Sequence, residues 1–537
     1  MQVVYWCFKN IGIESLGSEQ NWFLLSAARS SLVKRLPGKM SEYFKLALSH
    51  FYEPVDLRRG MTLMLQGHDK PIMIFGRISV LLGDEGALKE IIEMKGASGT
   101  KICCLCANLV DHKSNLAECD HSNNLVSSTE LDWGKISFHT DDSIKEILSF
   151  LGEKQATTNV EEFKRLQQFT GFNLSPRGAL LSDLLDLKVA SMVMYDWMHT
   201  YVSSGLWNLE IQLLVESLHS CGVSLDMLHE DLQAFHWPSH IKSRSTSGQN
   251  LFAHCQKDDI KCSASEALSV YSVIRHIVLE RRGLGEVEGA KHAIDSYLCL
   301  SRVLDLLVNI KTRRTKASTL RDAIFSHLQA FQTAFGTTHW LPKHHYSGHL
   351  AYMYSARKAL IACFALERKH KVIKRFGGQN PNTWAKWEHS LVMDVLGIEL
   401  HDLTQNLEQQ WSGGLCNPSS ATDVAASVLQ DAVGGSGDEV QVSLQCYYAP
   451  GALCAARDVV LCTLGGQRHV GQVHFFASVG GDNFACVSVW KGLGKNMFDC
   501  SDSSPVLCAL NSISDTCVYK KHGDYMVVVP NTCWSEG

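Results

Sequence analysis

The sequence predicts three kinds of structure in succession: a mixed α/β segment, a long all-α stretch and a small all-β module. Three observations carry this. Apolar residues recur at three- and four-residue intervals almost continuously from about residue 142 to residue 403, the spacing of amphipathic helices. Short Val-rich runs separated by Gly-Gly, Gly-Asp and Ser-Asp turns occupy residues 438–537, as in a small barrel or sandwich. Residues 1–83 mix extended-type runs with helical patterns.

The elements follow in order. Residues 3–8 and 22–27 read as strands and residues 40–51 as a helix. Residues 71–82, rich in Ile, Met, Phe and Val, suit a buried strand that stops at Gly83-Asp84. Ala87, Leu88, Ile91 and Ile92 then mark a helix over residues 85–94. Further helices are predicted at 143–151, 160–169, 206–217, 264–280, 290–308 and 319–335, with breakers such as Ser175-Pro176, Trp237-Pro238 and Leu341-Pro342 between them. No repeat recurs at a fixed period. Residues 411–437 are rich in Gly, Ser and Ala and read as a linker. Strands are predicted beyond it at 440–448, 458–463, 470–476, 485–490 and 525–529.

Composition excludes several classes. The 537 residues are 45% hydrophobic and 20% charged, enough apolar material for several cores. Fifty Lys and Arg against fifty-five Asp and Glu give a net charge of −5, so a polyanion site has to be a local patch. The longest apolar run, residues 359–366, has eight residues, against the roughly eighteen a membrane span needs. The first residues lack a basic region and a small-residue cleavage site, so secretion is not expected. Nineteen cysteines, an odd count with nine after Leu415, favour reduced thiols and metal ligands over a disulfide framework.

Several side chains can carry chemistry. Cys103 and Cys106 form a C-x-x-C pair, and His344, His345 and His349 fall within six residues. Two sulfurs and two imidazoles make a tetrahedral zinc set; the plainer alternative is a buried Cys pair with surface histidines. Asp84 ends a predicted strand at its carboxyl edge, where open α/β sheets place ligands. Glu367 closes the longest apolar run, and Asp196 lies three residues before His199 on a helical stretch. Singly, each acid is more often an N-cap or a surface group than a metal ligand. Arg368, Lys369, Lys371, Lys374 and Arg375 fall within eight residues, with a second cluster at Lys311-Thr312-Arg313-Arg314. These form either a solvated face or a phosphate-contacting patch beside Glu367.

Taken together, these blocks resemble CACTA-like DDE transposases. Leu82-Gly83-Asp84-Glu85-Gly86-Ala87, Met94–Gly99 and Cys103-x-x-Cys106 are similar to the block around that family's second catalytic Asp. Tyr195-Asp196-Trp197-Met198-His199 resembles its D-x-x-H element, and His344–His349 followed by Phe364-Ala365-Leu366-Glu367 resembles the stretch ending in its catalytic Glu. The likeness spans about residues 60–400. It implies an α/β RNase H-like core interrupted by a large all-α insertion, followed by the small C-terminal all-β module. The implied domains are a partial core with C-x-x-C (1–141), the helical insertion (142–343), the His cluster and Glu-bearing helix (344–410), the linker (411–437) and the all-β domain (438–537).

The resemblance also implies chemistry. In the related immune recombinase and its transposon relatives, a C-x-x-C and a His pair bind zinc jointly; here this implies Cys103, Cys106, His344 and His349, with His345 as the substitute for His344. Strand cleavage and transfer would use two Mg²⁺ ions on three carboxylates, with Asp84 and Glu367 as two of them and Asp196 and His199 carried over as a motif. No Asp occurs before Asp56, so the first catalytic Asp has no counterpart and a truncated or degenerate, nuclear, DNA-binding remnant is expected. One rival reading is a non-enzymatic scaffold whose C-terminal module binds a protein or chromatin partner, with Trp490, Phe475-Phe476 and Tyr447-Tyr448 as an aromatic cage or as its core. A cysteine-based enzyme is a further rival without a local signature.

Overall fold

The computed structural model describes the chain except residues 54–55, 66, 243–247, 254–259, 261, 313–314, 380–384, 407–413, 434–438, 450–451, 495, 502 and 531–537. The protein is mixed α/β and about half helical, with an all-β sheet region in its C-terminal part. Contacts group into two units: Met1–Tyr201 with Ile310–Thr404, and Val202–Asn309 with Gln405–Gly537. The helical stretch expected to form one insertion is thus divided between both units. Among the described residues no helix is long and apolar enough to cross a membrane.

In the first unit, Gln2–Trp6 pairs antiparallel with Phe23–Ala28. Leu24 and Ala27 of that pair pack on Ile373, Trp387, Leu391 and Val395, from the helices Phe364–Gln379 and Trp387–Asn406. The helix that bears Glu367 is thereby fixed in a core. Local signals set the other helices. Thr140 and Ser143 cap each other's backbone ahead of Asp141–Thr157. The Asn159 side chain accepts from Glu162 N–H to start Val160–Thr170, and Gly171 ends that helix in the left-handed region at φ +84.

The single buried strand expected at residues 71–82 divides in two. Ile72–Ile74 pairs antiparallel with Met61–Leu63, and Met73 and Phe75 are exposed. Between the two pieces, Gly76 N–H bonds Leu57 O at 2.9 Å and draws the chain out of the ladder. Leu81–Gly83 instead pairs in parallel with Val193–Tyr195, with Gly83 opposite Tyr195. Residues 195–199 are correspondingly not one helical stretch. Tyr195 ends a strand, Trp197–Tyr201 forms a helix, and Asp196 sits at the junction.

The second unit joins helices Leu206–Ser220, Ala264–Gly283 and Lys291–Val308 to the C-terminal sheet. Ser263 Oγ accepts from Glu266 N–H while Glu266 accepts from Ser263 N–H, a reciprocal cap that starts the second of these helices. The sheet is antiparallel and centred on Gln467–Val479, which pairs with Val459–Leu464, Asp482–Val489 and Val440–Ser443. Two of its tight hairpins turn at Gly465-Gly466 and Gly480-Gly481, all four at positive φ, as a two-residue turn of that hand requires. The segment expected as one strand at 440–448 breaks at exposed Leu444 into Val440–Ser443 and Gln445–Ala449. Ile513–His522 and Pro505–Ala509 are strands that periodicity missed.

Two further expectations change. The linker at 411–437 contains the helix Asp423–Val433, whose Leu429 packs on Val440, Ala477 and Val479; apolar spacing within an Ala-rich segment builds a covering helix. Trp490 and Phe476 are buried in separate clusters, so they form core and not a cage. The sheet is also tied to the helices of its own unit. Buried Asp458 accepts from Ser239 N–H at 2.9 Å, Ser239 Oγ at 2.8 Å and Ala455 N–H at 2.9 Å.

Candidate metal centre

Cys103 and Cys106 lie in an irregular segment ahead of Leu109–Val110, and the histidines lie on the helix Pro342–Arg357. Helical side chains four apart share a face, because four residues turn about 400°, whereas five turn about 500°. That geometry selects His345 with His349. Cys103 Sγ lies 3.3 Å from His349 Nε2, Cys106 Sγ lies 3.3 Å from His345 Nε2 and 3.4 Å from His349 Nε2, and the two Nε2 atoms are 3.1 Å apart. A tetrahedral zinc with ordinary bond lengths sets S···N near ~3.5 Å and N···N near ~3.3 Å. The four buried side chains can bind a metal such as zinc.

His344, expected as a ligand, is displaced from this set. It turns to Trp340, stacked at 4.4 Å, and to Phe331, and its Nδ1 accepts from Leu341 N–H at 2.9 Å. It is a buried helix-start residue.

Electrostatics suit a cation. Burial alone would raise the Cys103 thiol, but the bond from Cys106 and the imidazoles of His349 and His345 hold it well below the usual thiol range. Burial and the bond to Cys103 drive Cys106 up. One thiolate is therefore already favoured. Burial lowers His345, keeping it neutral as a ligand must be. Trp133 closes the cluster, stacked on His345 at 5.3 Å and edge-on to His349 at 4.9 Å.

The predicted acids gather at the end of the short parallel pair. Asp84 and Asp196 each follow a residue of the paired positions Gly83 and Tyr195. Asp84 Oδ1 accepts from Ala87 N–H at 2.6 Å and starts the helix Glu85–Ile91. Asp196 is buried; its Oδ1 accepts from Met198 N–H at 3.0 Å and Cys363 N–H at 3.1 Å, and its Oδ2 faces His199 Nδ1 at 2.5 Å. The other nitrogen, His199 Nε2, lies 3.2 Å from Glu367 Oε1. Burial lowers His199, but its bonds to Asp196 and Glu367 and the charges of Asp196 and Asp84 together raise it to about 9. The His199 bond holds Glu367 below the usual carboxylate range.

These acids do not fit a pair of hard cations as they stand. Asp84 spends an oxygen on a helix cap, Asp196 is engaged by four groups, and an imidazole occupies the space between Asp196 and Glu367. Sequence reasoning missed Cys363, whose thiol joins this group; its place four residues before Glu367, one helical turn, was the available signal. It also missed Lys343, half-buried near Glu85, Asp84 and Asp196.

The basic cluster on the Glu367 helix divides. Lys369 is a core ion pair with Glu399 at 2.6 Å, each side chain 10% exposed. Arg368 binds Glu19 at 2.9 Å and Gly17 O at 2.7 Å. Both are engaged by protein partners. Lys371, Lys374 and Arg375 are exposed. The side chains of Lys311, Arg313 and Arg314 lie outside the described residues.

Searches against models of protein families and against curated proteins find no match for this chain.

Proposed function

We propose that this chain is a nuclear, DNA-associated protein derived from a CACTA-like DDE transposase, with an RNase H-like core whose phosphodiester-cleaving centre is degenerate. The observation that carries the reading is a pair of convergences within one unit. Asp84 and Asp196, from adjacent parallel strand ends, share His199 electrostatically with Glu367, and Cys103-x-x-Cys106 meets His345 and His349. That residues far apart in sequence come together at these two places is what supports the reading.

In this reading, zinc on Cys103, Cys106, His345 and His349 is structural: four protein ligands close the coordination shell. It staples the Pro342–Arg357 helix to the segment that follows Asp84. The ancestral Mg²⁺ pair would have polarised and positioned the scissile phosphate. In this chain the acids are engaged by protein donors. What this chain's own residues do is hold nucleic acid: Lys371, Lys374 and Arg375 present three cations along one helix, contacting phosphates without reading sequence.

The test is a nicking and strand-transfer assay with Mg²⁺ or Mn²⁺ alongside DNA binding. The proposal expects binding without metal-dependent cleavage. Cleavage abolished by Glu367→Ala would overturn the degenerate-centre reading, and absence of binding would favour the scaffold reading.

A further inference from the structure

We infer that Asp196, His199 and Cys363 form a second transition-metal site, of the zinc class, distinct from the Cys103–His349 cluster. One ligand atom from each of the three lies within 4.8 Å of the others. The two sites adjoin one strand end: the Tyr195 hydroxyl lies 3.3 Å from Cys103 Sγ, while Asp196, the residue after the strand, belongs to the second group.

The donors are already oriented. Asp196 Oδ1 is held by the N–H groups of Met198 and Cys363, while Oδ2 takes a long 3.4 Å contact from His199 N–H and turns its other lone pair to the His199 ring. His199 Nδ1 faces that Oδ2, and Nε2 faces Glu367 Oε1 at 3.2 Å. With metal on Nδ1, the Nε2–H group donates to Glu367. That is the carboxylate–histidine–metal arrangement in which an outer carboxylate fixes tautomer and ring angle. Cys363 is buried and its own backbone is pinned to Asp196, so its sulfur has little freedom to leave.

The fit requires one small movement. A metal bridging Nδ1 and Oδ2 sets them about 3.3 Å apart, against 2.5 Å in the metal-free arrangement. His199, 23% exposed, has room to swing by the difference. A thiolate and an imidazole select zinc over magnesium, which takes oxygen ligands. Metal binding displaces the imidazole Nδ1 proton and the thiol proton to solvent. Three protein ligands leave one coordination position open, as in reactive zinc sites and unlike the closed four-ligand cluster.

This inference does not rest on descent from a transposase, since the donors are read from geometry, and its test counts metal while the functional test reads DNA. The full-length chain is purified without chelator and its zinc measured by mass spectrometry. Two zinc per chain are expected in the wild type and one in Cys363→Ser. Because substitution of a buried cysteine can disturb its surroundings, Glu367→Gln, at a half-exposed position, serves as the second variant. In a chelator competition it should weaken the second zinc about 10–100-fold and leave the first unchanged. In cobalt-loaded protein, the sulfur-to-metal charge-transfer absorption should fall by about a third in Cys363→Ser, one thiolate of three. One zinc per chain in the wild type, or two that persist in both Cys363→Ser and His199→Gln, would overturn the assignment.

Discussion

Replacing Gly348 by alanine should loosen the four-ligand cluster. Gly348 lies between His345 and His349, and a methyl group there would stand 2.0 Å from Trp133 Cζ2, 2.6 Å from Cη2 and 2.8 Å from Cε2. Carbon atoms pack at about 3.5–4.0 Å, so the indole has to retreat by about 1.5 Å. It cannot retreat freely, being stacked on His345 at 5.3 Å and on Tyr352 at 5.4 Å, with His349 edge-on. Alanine gains about 1 kcal/mol over glycine inside a helix. Against this, overpacking costs about 1–3 kcal/mol and each lost ring contact about 0.5–1.5 kcal/mol. The net loss is about 1–3 kcal/mol, which falls on the two histidines and weakens zinc about 10–100-fold. The assay is competition with a chromophoric chelator, preferable to a single unfolding free energy in a chain of two units. Shrinking the clashing ring in a Gly348→Ala/Trp133→Leu double variant should recover part of the loss. Wild-type zinc affinity in Gly348→Ala would refute the packing argument.

Other outcomes follow from the same geometry. His345→Ala should abolish stoichiometric zinc at the first cluster, whereas His344→Ala should retain zinc and lose about 2–4 kcal/mol of stability through a core cavity; metal analysis and melting separate the two. Burial raises Glu93 to about 7, against hydrogen bonds from Ser175 and Ser41 and the charge of Lys45. The folded state therefore holds a proton that the unfolded chain releases near pH 4.5, and stability contributed below that pH is lost as pH rises to about 7. Glu93→Gln should flatten this slope in denaturation curves, a change on the order of 2–3 kcal/mol. Asp458→Ala leaves three donors without their acceptor and should cost the second unit about 2–4 kcal/mol, seen as faster limited proteolysis between the helices and the sheet.

Legibility in the sequence followed the range of the forces involved. Helices such as Ala264–Gly283 were readable because the apolar period and the Ser263–Glu266 cap are local. The pairing that sets Asp84 beside Asp196 was not. Leu81–Gly83 and Val193–Tyr195 are three residues each, too short for any period, and their partnership is a long-range fact. The metal centre was half legible: residue types identified the cluster, and helical spacing, applied to the three histidines, selects His345 over His344. Charge counting overstated the basic patch, because the acids that claim Lys369 and Arg368, Glu399 and Glu19, are distant in sequence.

The central claim is that this chain holds nucleic acid through the exposed cations beside Glu367. The direct measurement is DNA affinity against salt for the wild type, for Lys371→Ala/Lys374→Ala/Arg375→Ala, and for Lys369→Ala. Three phosphate contacts give a slope of log affinity on log salt of about −3. The account predicts that the triple variant loses most of this slope on every sequence tested, and that Lys369→Ala keeps the slope while losing stability. No salt-sensitive binding by the wild type, or an unchanged slope in the triple variant, would contradict it.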